Sequence, residues 1–417
     1  MAIKKQPPPV KREATENLKR AQAAILKSVK QKPLGAEEKQ WPHISTGSVI
    51  INDLIGGSRG RDGKPVCPGI PRRRITEVFG PESSGKTTLA LSVVRETQRN
   101  AGSVMYLDYE HALHIGYSKS IGVVFDESLS LYTPDTLEEG FKMMLIGIIC
   151  GVDLIVVDSV AAMVPSGELN KDLNDPARVG EVSRLMSQHL PKFANWMATF
   201  PRVGGGKEGA TDPTKPGTSL LFLNQERATI STGGGGYGAP EANTTGGKAL
   251  KFYTSVRLRL NKLKTETLDQ IDPMTKKTIK RPYGTLTQVK VVKDKLDGRQ
   301  GHTGNIFIRY GYGIDNYHSV IESAVAHNIM KKEGSYYAFG SERCQGRDRF
   351  RQYLIDNPKQ YNELEKALQQ AILVSSKPVA DAEIDSASTI VDDEFDSDSV
   401  EGIGIEVDAD VAESGEE

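Results

Sequence analysis

The chain has little cysteine, little tryptophan and no long apolar run. Its 417 residues include 3 Cys and 2 Trp. Cys67, Cys150 and Cys344 stand far apart, which excludes a zinc ribbon and a disulfide framework and points to reduced thiols. The longest apolar run, Met143–Val152, stops at Asp153, well short of the ~18 residues that a membrane helix needs. No apolar signal segment opens the chain. Its first residues mix Lys with Glu13 and Glu16, unlike an acid-poor transit peptide. The expectation is a cytoplasmic protein with no membrane partner.

One further absence matters more. After Lys377 the sequence has no basic residue, while residues 378–417 carry 15 acids. The whole chain has 53 Lys plus Arg and 54 Asp plus Glu, for a formal charge of −1. Residues 1–377 therefore hold 53 basic against 39 acidic residues, a body of +14 joined to a tail of −15. Such an asymmetry points to a polyanion-binding body and excludes electrostatic indifference.

What is present divides the chain into five parts. Residues 1–13 are Pro-rich and basic, without a folding pattern. In 14–43, the spacing of Ala14, Leu18, Ala21, Ile25 and Val29 predicts a helix over 14–31, ended by Pro33 and Gly35. That helix packs on its own domain or on a neighbouring subunit. Residues 44–315 read as an α/β core. Ile75–Phe79, Val104–Asp108, Leu154–Val157 and Leu220–Leu223 are continuous apolar strands alternating with helices, among them Thr88–Asn100 and His111–Gly122. That pattern predicts a mainly parallel sheet covered on both faces. From Leu250 successive strands suggest antiparallel additions at one edge. Residues 316–377 read as a small, separate α-rich lobe, with helices at Ser319–Asn328, Arg347–Ile355 and Tyr361–Leu373. Residues 378–417 are too charged and too poor in aromatics to fold. Ser58–Gly69, Arg202–Thr218 and Glu226–Gly247 are longer and more polar than ordinary connections.

The chemistry concentrates after the first strand. Gly80, Pro81, Glu82, Ser83, Ser84, Gly85, Lys86 and Thr87 match G-x-x-x-x-G-K-[ST], followed by Thr88. Glycines let backbone N–H groups turn toward phosphate oxygens, and the next helix offers its N-terminal dipole to the same anion. Lys86 supplies charge to the β- and γ-phosphates, and the Thr87 hydroxyl suits Mg²⁺. Asp158, closing the third strand, is either a second Mg²⁺ group or a helix cap. Glu110 is either the base that orients a hydrolytic water or an acid favoured by the dipole of the helix beginning at His111. Asn224 and Gln225 end the fourth strand, where they reach the γ-phosphate or serve as satisfied loop amides.

These segments together resemble the bacterial RecA recombinases. GPESSGKTTL (80–89), ISTGS (44–48), YEHAL (109–113), DLIVVDSVAA (153–162), RLMSQ (184–188), NQ (224–225), TTGGKALKFYTSVRL (244–258) and VKVVKDK (289–295) each resemble the family's segment, in order. The similarity spans roughly 14–375. It implies a RecA-like P-loop ATPase core with an N-terminal oligomerisation arm and a C-terminal lobe, binding ATP and Mg²⁺. Matching positions imply Glu110 as catalytic glutamate and Gln225 as γ-phosphate sensor relaying to DNA. They imply Tyr117 stacked on adenine, and Lys293 and Lys295 reaching the ATP of an adjacent subunit. The arm helix would then pack on a neighbour.

Glu168–Arg184 and Glu226–Gly247 match the two DNA-binding loops. The second has 7 Gly in 22 residues, which suits a segment ordered by DNA. Gly246 and Gly247 would offer N–H groups to phosphate, with Arg184 and Arg227 as the matching cations, although Arg184 also reads as a helix-surface cation. His114 stands where the family has an Asp at the adenine edge, and Glu226 replaces an apolar residue.

The implied function is a DNA-dependent ATPase that forms a helical filament on single-stranded DNA. It pairs that strand with a homologous duplex and exchanges strands, in recombination, repair and the SOS response. Single-strand-binding protein and repressor are further candidate partners. The rivals are a ring-forming helicase or motor on the same core and a non-catalytic single-strand binder. The tail is either a competitor of DNA or a solvating segment.

Overall fold

The computed structural model describes residues 41–56, 66–169, 180–199, 216–227, 243–272, 274–296 and 300–375. The basic segment at 1–13, the expected arm helix at 14–31 and the acidic tail lie outside these residues. So do most of 58–69 and 202–218 and the middles of both expected DNA loops.

A short antiparallel pair, β1 (His43–Ile44) and β2 (Ile70–Pro71), precedes the central sheet. The sheet holds β3 (Ile75–Gly80), β4 (Val104–Asp108), β5 (Leu129–Tyr132), β6 (Leu154–Asp158), β7 (Ser219–Arg227) and β8 (Asn243–Thr244). It continues with β9 (Thr254–Ile271), β10 (Thr278–Asp294), β11 (Thr303–Arg309) and β12 (Gly313–Ile314). Its order is β12-β11-β10-β9-β3-β7-β6-β4-β5, with β8 paired to β7. The six strands from β9 to β5 run parallel.

One expectation needs correction. The late strands are not all antiparallel additions, because β9 pairs parallel with β3 and the direction reverses only at β10. The connection from β7 through helix Gly247–Tyr253 returns the chain to the starting end of the sheet, so β9 enters in the same sense.

The apolar runs are continuous because both faces are covered. On β6, Leu154 and Val156 join one buried cluster, and Ile155 and Val157 join the other. On β7, Leu221 and Leu223 face the first side, Leu220 and Phe222 the second. Period-2 side-chain alternation thus gives two apolar sets per strand. Helix Lys86–Arg99 covers the first face through Leu89, Val93 and Val94. Helices Leu137–Cys150 and Glu181–Thr199 cover the second through Phe141, Met144, Met186 and Phe193.

Beyond β12, helices Asn316–Ala326, Arg347–Asp356 and Pro358–Ser375 appear where helical spacing predicts them. Between them lies a meander that the α-rich expectation omits: β13 (Lys331–Glu333), β14 (Tyr336–Phe339) and β15 (Glu342–Gln345). These strands are short and largely exposed, so they lack an apolar alternation to read. Phe350, Leu354, Leu364 and Leu368 belong to the same buried cluster as the first face of the sheet.

Candidate active site

β3 delivers the chain to the phosphate loop. A Cβ on Gly80 would lie 2.1 Å from the Leu260 carbonyl oxygen of β9, and one on Gly85 would lie 2.1 Å from Ile308 Cδ1 of β11. The loop is pressed against its neighbours at both glycines, and Gly85 also has φ +96°, so neither position accepts a side chain. Helix Lys86–Arg99 follows, with no side chain capping its N-terminus. Its first N–H groups remain available to an anion. Lys86 Nζ donates to the carbonyls of Gly80 at 3.1 Å and Pro81 at 2.8 Å. Burial lowers the Lys86 pKa, opposed by Asp158, Glu110, Glu82 and Glu226.

Strand register gathers the acids. Asp108 pairs across to Asp158, so two carboxylates end adjacent strands. The Thr87 hydroxyl donates to Asp158 Oδ2 at 3.0 Å, and the Tyr106 hydroxyl donates to the same oxygen at 2.7 Å. Burial pushes Asp158 up to about 6. Those two hydrogen bonds oppose the shift, and the charges of Glu110 and Asp108 add to it. The Asp158 carboxylate therefore engages the phosphate loop rather than capping a helix. Asp108 instead accepts from Leu113 N at 3.0 Å and ties down the turn after β4.

The helix expected from His111 begins later, at Ile115. His111 has φ +53°, outside helical space, and the His114 side chain caps the helix by accepting from Tyr117 N at 3.0 Å. Glu110 is thus not an acid in the first turn of a helix. It is exposed, lines the cavity described below, and accepts a hydrogen bond from the Ser159 hydroxyl.

Asn224 and Gln225 divide the roles expected of them jointly. Gly80 pairs with Gln225 and Phe79 with Asn224. Asn224 is fully buried and donates to Glu77 at 2.9 Å and to the Thr245 carbonyl at 2.7 Å. It is a satisfied amide that ties the end of β7 to Thr245, near the far end of the segment expected to be the second DNA loop. Gln225 is exposed and faces the cavity, its N–H donating to Asn224 Oδ1 at 2.9 Å. Behind them Arg257 donates to Glu77 at 2.5 Å and lies 4.6 Å over the Phe79 ring.

A cavity of about 720 Å³ brings these groups together. Glu82, Ser83, Gly85, Lys86, Thr87, Thr88, Glu110, Tyr117, Asp158 and Gln225 line it. Thr88 and Tyr117 meet through their hydroxyls at 2.8 Å, and burial raises the tyrosine's pKa. Lys262, Thr285, Ile308 and Tyr310 line it as well, and sequence reasoning missed them. Tyr106 and Ser159, which orient Asp158 and Glu110, were missed as well. Ser159 had a signal, its place directly after Asp158. The others come from β4, β9, β10 and β11 and are brought in by register alone.

The set fits a hard cation. A carboxylate and a hydroxyl are oxygen ligands of the kind Mg²⁺ takes. Among the described residues no cluster of three or more His, Cys, Asp or Glu could cage a metal. That suits an ion whose remaining ligands are phosphate and water.

Lys293 and Lys295 do not join this cavity. Lys293 pairs with Arg257, which pairs with Glu77, three residues before Gly80 on β3. Both ammonium groups donate to the Phe252 carbonyl, at 3.1 and 2.7 Å, beside an exposed Phe252 side chain. Burial, then Lys295 and Arg257, lower Lys293 to about 8. The DNA-loop positions gather elsewhere. Gly246 and Gly247 have φ +93° and +69°, and a Cβ on Gly247 would lie 2.6 Å from Ser183 Oγ. The ends of the two loops therefore touch. Arg184 stands exposed in the first turn of helix Glu181–Thr199, 3.5 Å from Glu181. The Arg227 side chain lies outside the described residues.

Residues 32–315 match the model of the RecA N-terminal domain, and residues 318–373 match the RecA C-terminal domain. The protein RecA of Halalkalibacterium halodurans is 40% identical over 335 residues, 80% of this chain and 84% of that one. Protein RecA of Desulforapulum autotrophicum is 38% identical over 346 residues, 82% and 87%. Protein RecA of Clostridium novyi is 36% identical over 381 residues, 89% and 97%. The chain belongs to the RecA family of DNA-dependent ATPases and homologous recombinases.

Proposed function

We propose that the cavity binds ATP with Mg²⁺ and that its occupancy switches a filament on single-stranded DNA that pairs and exchanges homologous strands. The observation that carries this is the convergence of Lys86, Thr87, Asp158, Glu110 and Gln225 on one cavity at the ends of four neighbouring parallel strands. Bound nucleotide draws Lys86 from its loop carbonyls to the phosphates. Mg²⁺ supplies charge neutralisation to the phosphates, and Thr87 and Asp158 hold it. Tyr117 takes the adenine face. Glu110, oriented by Ser159, accepts a proton from the water that attacks the γ-phosphorus, giving ADP and phosphate. Gln225 reads the γ-phosphate, and the rigid Asn224 beside it passes the change to the loop closing at Gly246 and Gly247.

Lys293 and Lys295 act on the nucleotide of an adjacent subunit, in keeping with their distance from their own phosphate loop. Arg184, Arg227 and the two glycines contact DNA phosphates, so binding tolerates sequence and base pairing reads homology. The arm at 14–43 docks on a neighbour, and the tail at 378–417 competes with duplex DNA. Single-strand-binding protein and repressor are candidate partners. Among the described residues no helix is long and apolar enough to cross a membrane.

Glu110→Gln tests the chemistry. Turnover should fall ~10²–10⁴-fold while ATP and DNA binding persist. Normal turnover would remove Glu110 from the mechanism. Electron microscopy with DNA and ATP should give filaments, and closed rings would favour the motor reading.

A further inference from the structure

The two longest strands outrun the sheet. β9 has 18 residues and β10 has 17, and the last strand-to-strand contact of β10 with β11 is at Gly284. Beyond Glu266 and Gly284 the two strands pair only with each other, as an antiparallel ribbon closed by a turn at 272–277. Every described residue from Thr267 to Pro282 is exposed except Asp272, which is half-buried. From Glu266 to the tip, eight residues span about 25 Å. A two-stranded ribbon is marginal by itself in water. This one is anchored at its base, where Arg347 bridges Glu266 and Glu322 and donates to Tyr283.

The ribbon's chemistry is specific. Lys276, Lys277, Lys280 and Arg281 place four cations in six residues. Among the described residues, none of the four has a carboxylate within ion-pair distance, whereas two of the ribbon's three acids, Glu266 and Asp272 but not Asp269, are engaged elsewhere. Glu266 pairs with Arg347 and Lys264, and Asp272 accepts from Met274 N at 2.9 Å and Thr275 Oγ1 at 2.6 Å. Register places Lys280 opposite Asp269 on one face and Arg281 opposite Leu268 on the other, so cations mark both faces. Two apolar side chains stand exposed among the polar residues at the tip: Met274 is 93% exposed and Ile271 66%. The ribbon leaves the sheet at the end where β3 reaches the phosphate loop and β7 enters the second DNA loop, since Phe79 pairs with both Arg259 and Asn224.

We infer that residues 267–282 form a duplex-DNA-binding arm. The DNA major groove admits a two-stranded ribbon, and cations on both faces meet both phosphate walls. Apolar residues at the tip of such an arm suit contact with base edges in that same groove, where the thymine methyl group is exposed. A second identical ribbon would meet this one with like charge, and a single strand offers no groove of matching width. The inference rests on the chain being a DNA-dependent ATPase, and the test reads that reading separately.

The full chain and a variant with Lys276, Lys277, Lys280 and Arg281 changed to Ala are compared for binding to a short duplex between roughly 50 and 200 mM salt. Loss of four phosphate contacts should flatten the log–log salt slope by about 3.6, and Lys277→Ala or Lys280→Ala alone by about 0.9. Met274→Ala should weaken duplex binding several-fold at unchanged slope. Single-strand-stimulated ATP turnover should persist in all of them. If it persists and the salt slope is unchanged, the arm is refuted while the ATPase reading stands. If the wild-type chain itself shows no DNA-stimulated turnover, the underlying reading fails instead. If the quadruple variant loses turnover, the single variants Lys277→Ala and Lys280→Ala decide: a slope flattened by about 0.9 in each supports the arm, and an unchanged slope in both overturns it. Cross-links from the ribbon to 378–417 at unchanged duplex affinity would give the ribbon to the acidic tail and overturn the inference.

Discussion

Asp158 and Glu77 are both acids on buried strands of one sheet, yet they are built for opposite ends. Glu77 is 0% exposed, is clasped by Arg257 at 2.5 Å and accepts from Asn224. Asp158 is 8% exposed and receives two hydroxyls, and among the described residues no cation lies within ion-pair distance of it. One buried charge is compensated within the fold, and the other is left for a ligand to compensate. The comparison teaches where function sits in a sheet of this kind: at the strand ends, where compensation is withheld. A paired interior acid fixes the geometry that an unpaired terminal acid uses.

The largest effect should come from breaking the compensated pair. Glu77→Gln leaves Arg257 buried and unpaired, which costs about 3–5 kcal/mol in cases of this kind. Thermal unfolding should show a large drop in midpoint. An unchanged midpoint would mean that Arg257 finds another partner. The second effect has the opposite sign. A carboxyl held near 6 rather than 3.8 costs the ionised, ligand-free fold on the order of 3 kcal/mol at neutral pH. Asp158→Asn removes that cost, so the ligand-free variant should be more stable than the parent at pH 7.5 and lose Mg²⁺-nucleotide binding. The gain should shrink as pH falls from about 6 toward 4, because below the unfolded carboxyl's pKa both states are protonated. A variant less stable than the parent at pH 7.5 would show that the carboxylate's hydrogen bonds outweigh its burial.

The smallest effect is a proton. Near pH 6 the ligand-free Asp158 is partly protonated, and a cation beside it holds it ionised. Mg²⁺-nucleotide binding should therefore release a fraction of a proton at pH 6 and tighten as pH rises to a plateau above about 7. Calorimetry in buffers of different ionisation enthalpy measures the release. A binding enthalpy independent of buffer at pH 6 would place the site's charge elsewhere.

Much of the site was legible in the chain. The phosphate loop needs glycines where backbone crowds backbone, as at Gly80 against the Leu260 carbonyl, and where φ is positive, as at Gly85. Asp158 and Gln225 close apolar strands, and parallel strands carry their ends to one side. The ambiguous residues were those whose reading depended on a neighbour. Glu110 could be assigned to a helix start until the backbone at His111 moved that start to Ile115. On spacing alone Asn224 and Gln225 were indistinguishable; the family resemblance singled out Gln225, and register turns Asn224 inward to Glu77 and Gln225 outward to the cavity. The β13–β15 meander was illegible because its strands bury little and so leave no alternation.

The sequence by itself determined the nucleotide chemistry, the α/β class and the separation of a basic body from an acidic tail. These depend on local spacing, on composition and on the two apolar sets that a covered strand must carry. Tertiary structure alone decided which residues join Tyr117 in the cavity, which acid is compensated, which side of the sheet holds Lys293 and Lys295, and how far β9 and β10 run past it. Those outcomes depend on register between strands that are distant in the chain. Register is set by the packing of whole faces rather than by any segment read alone.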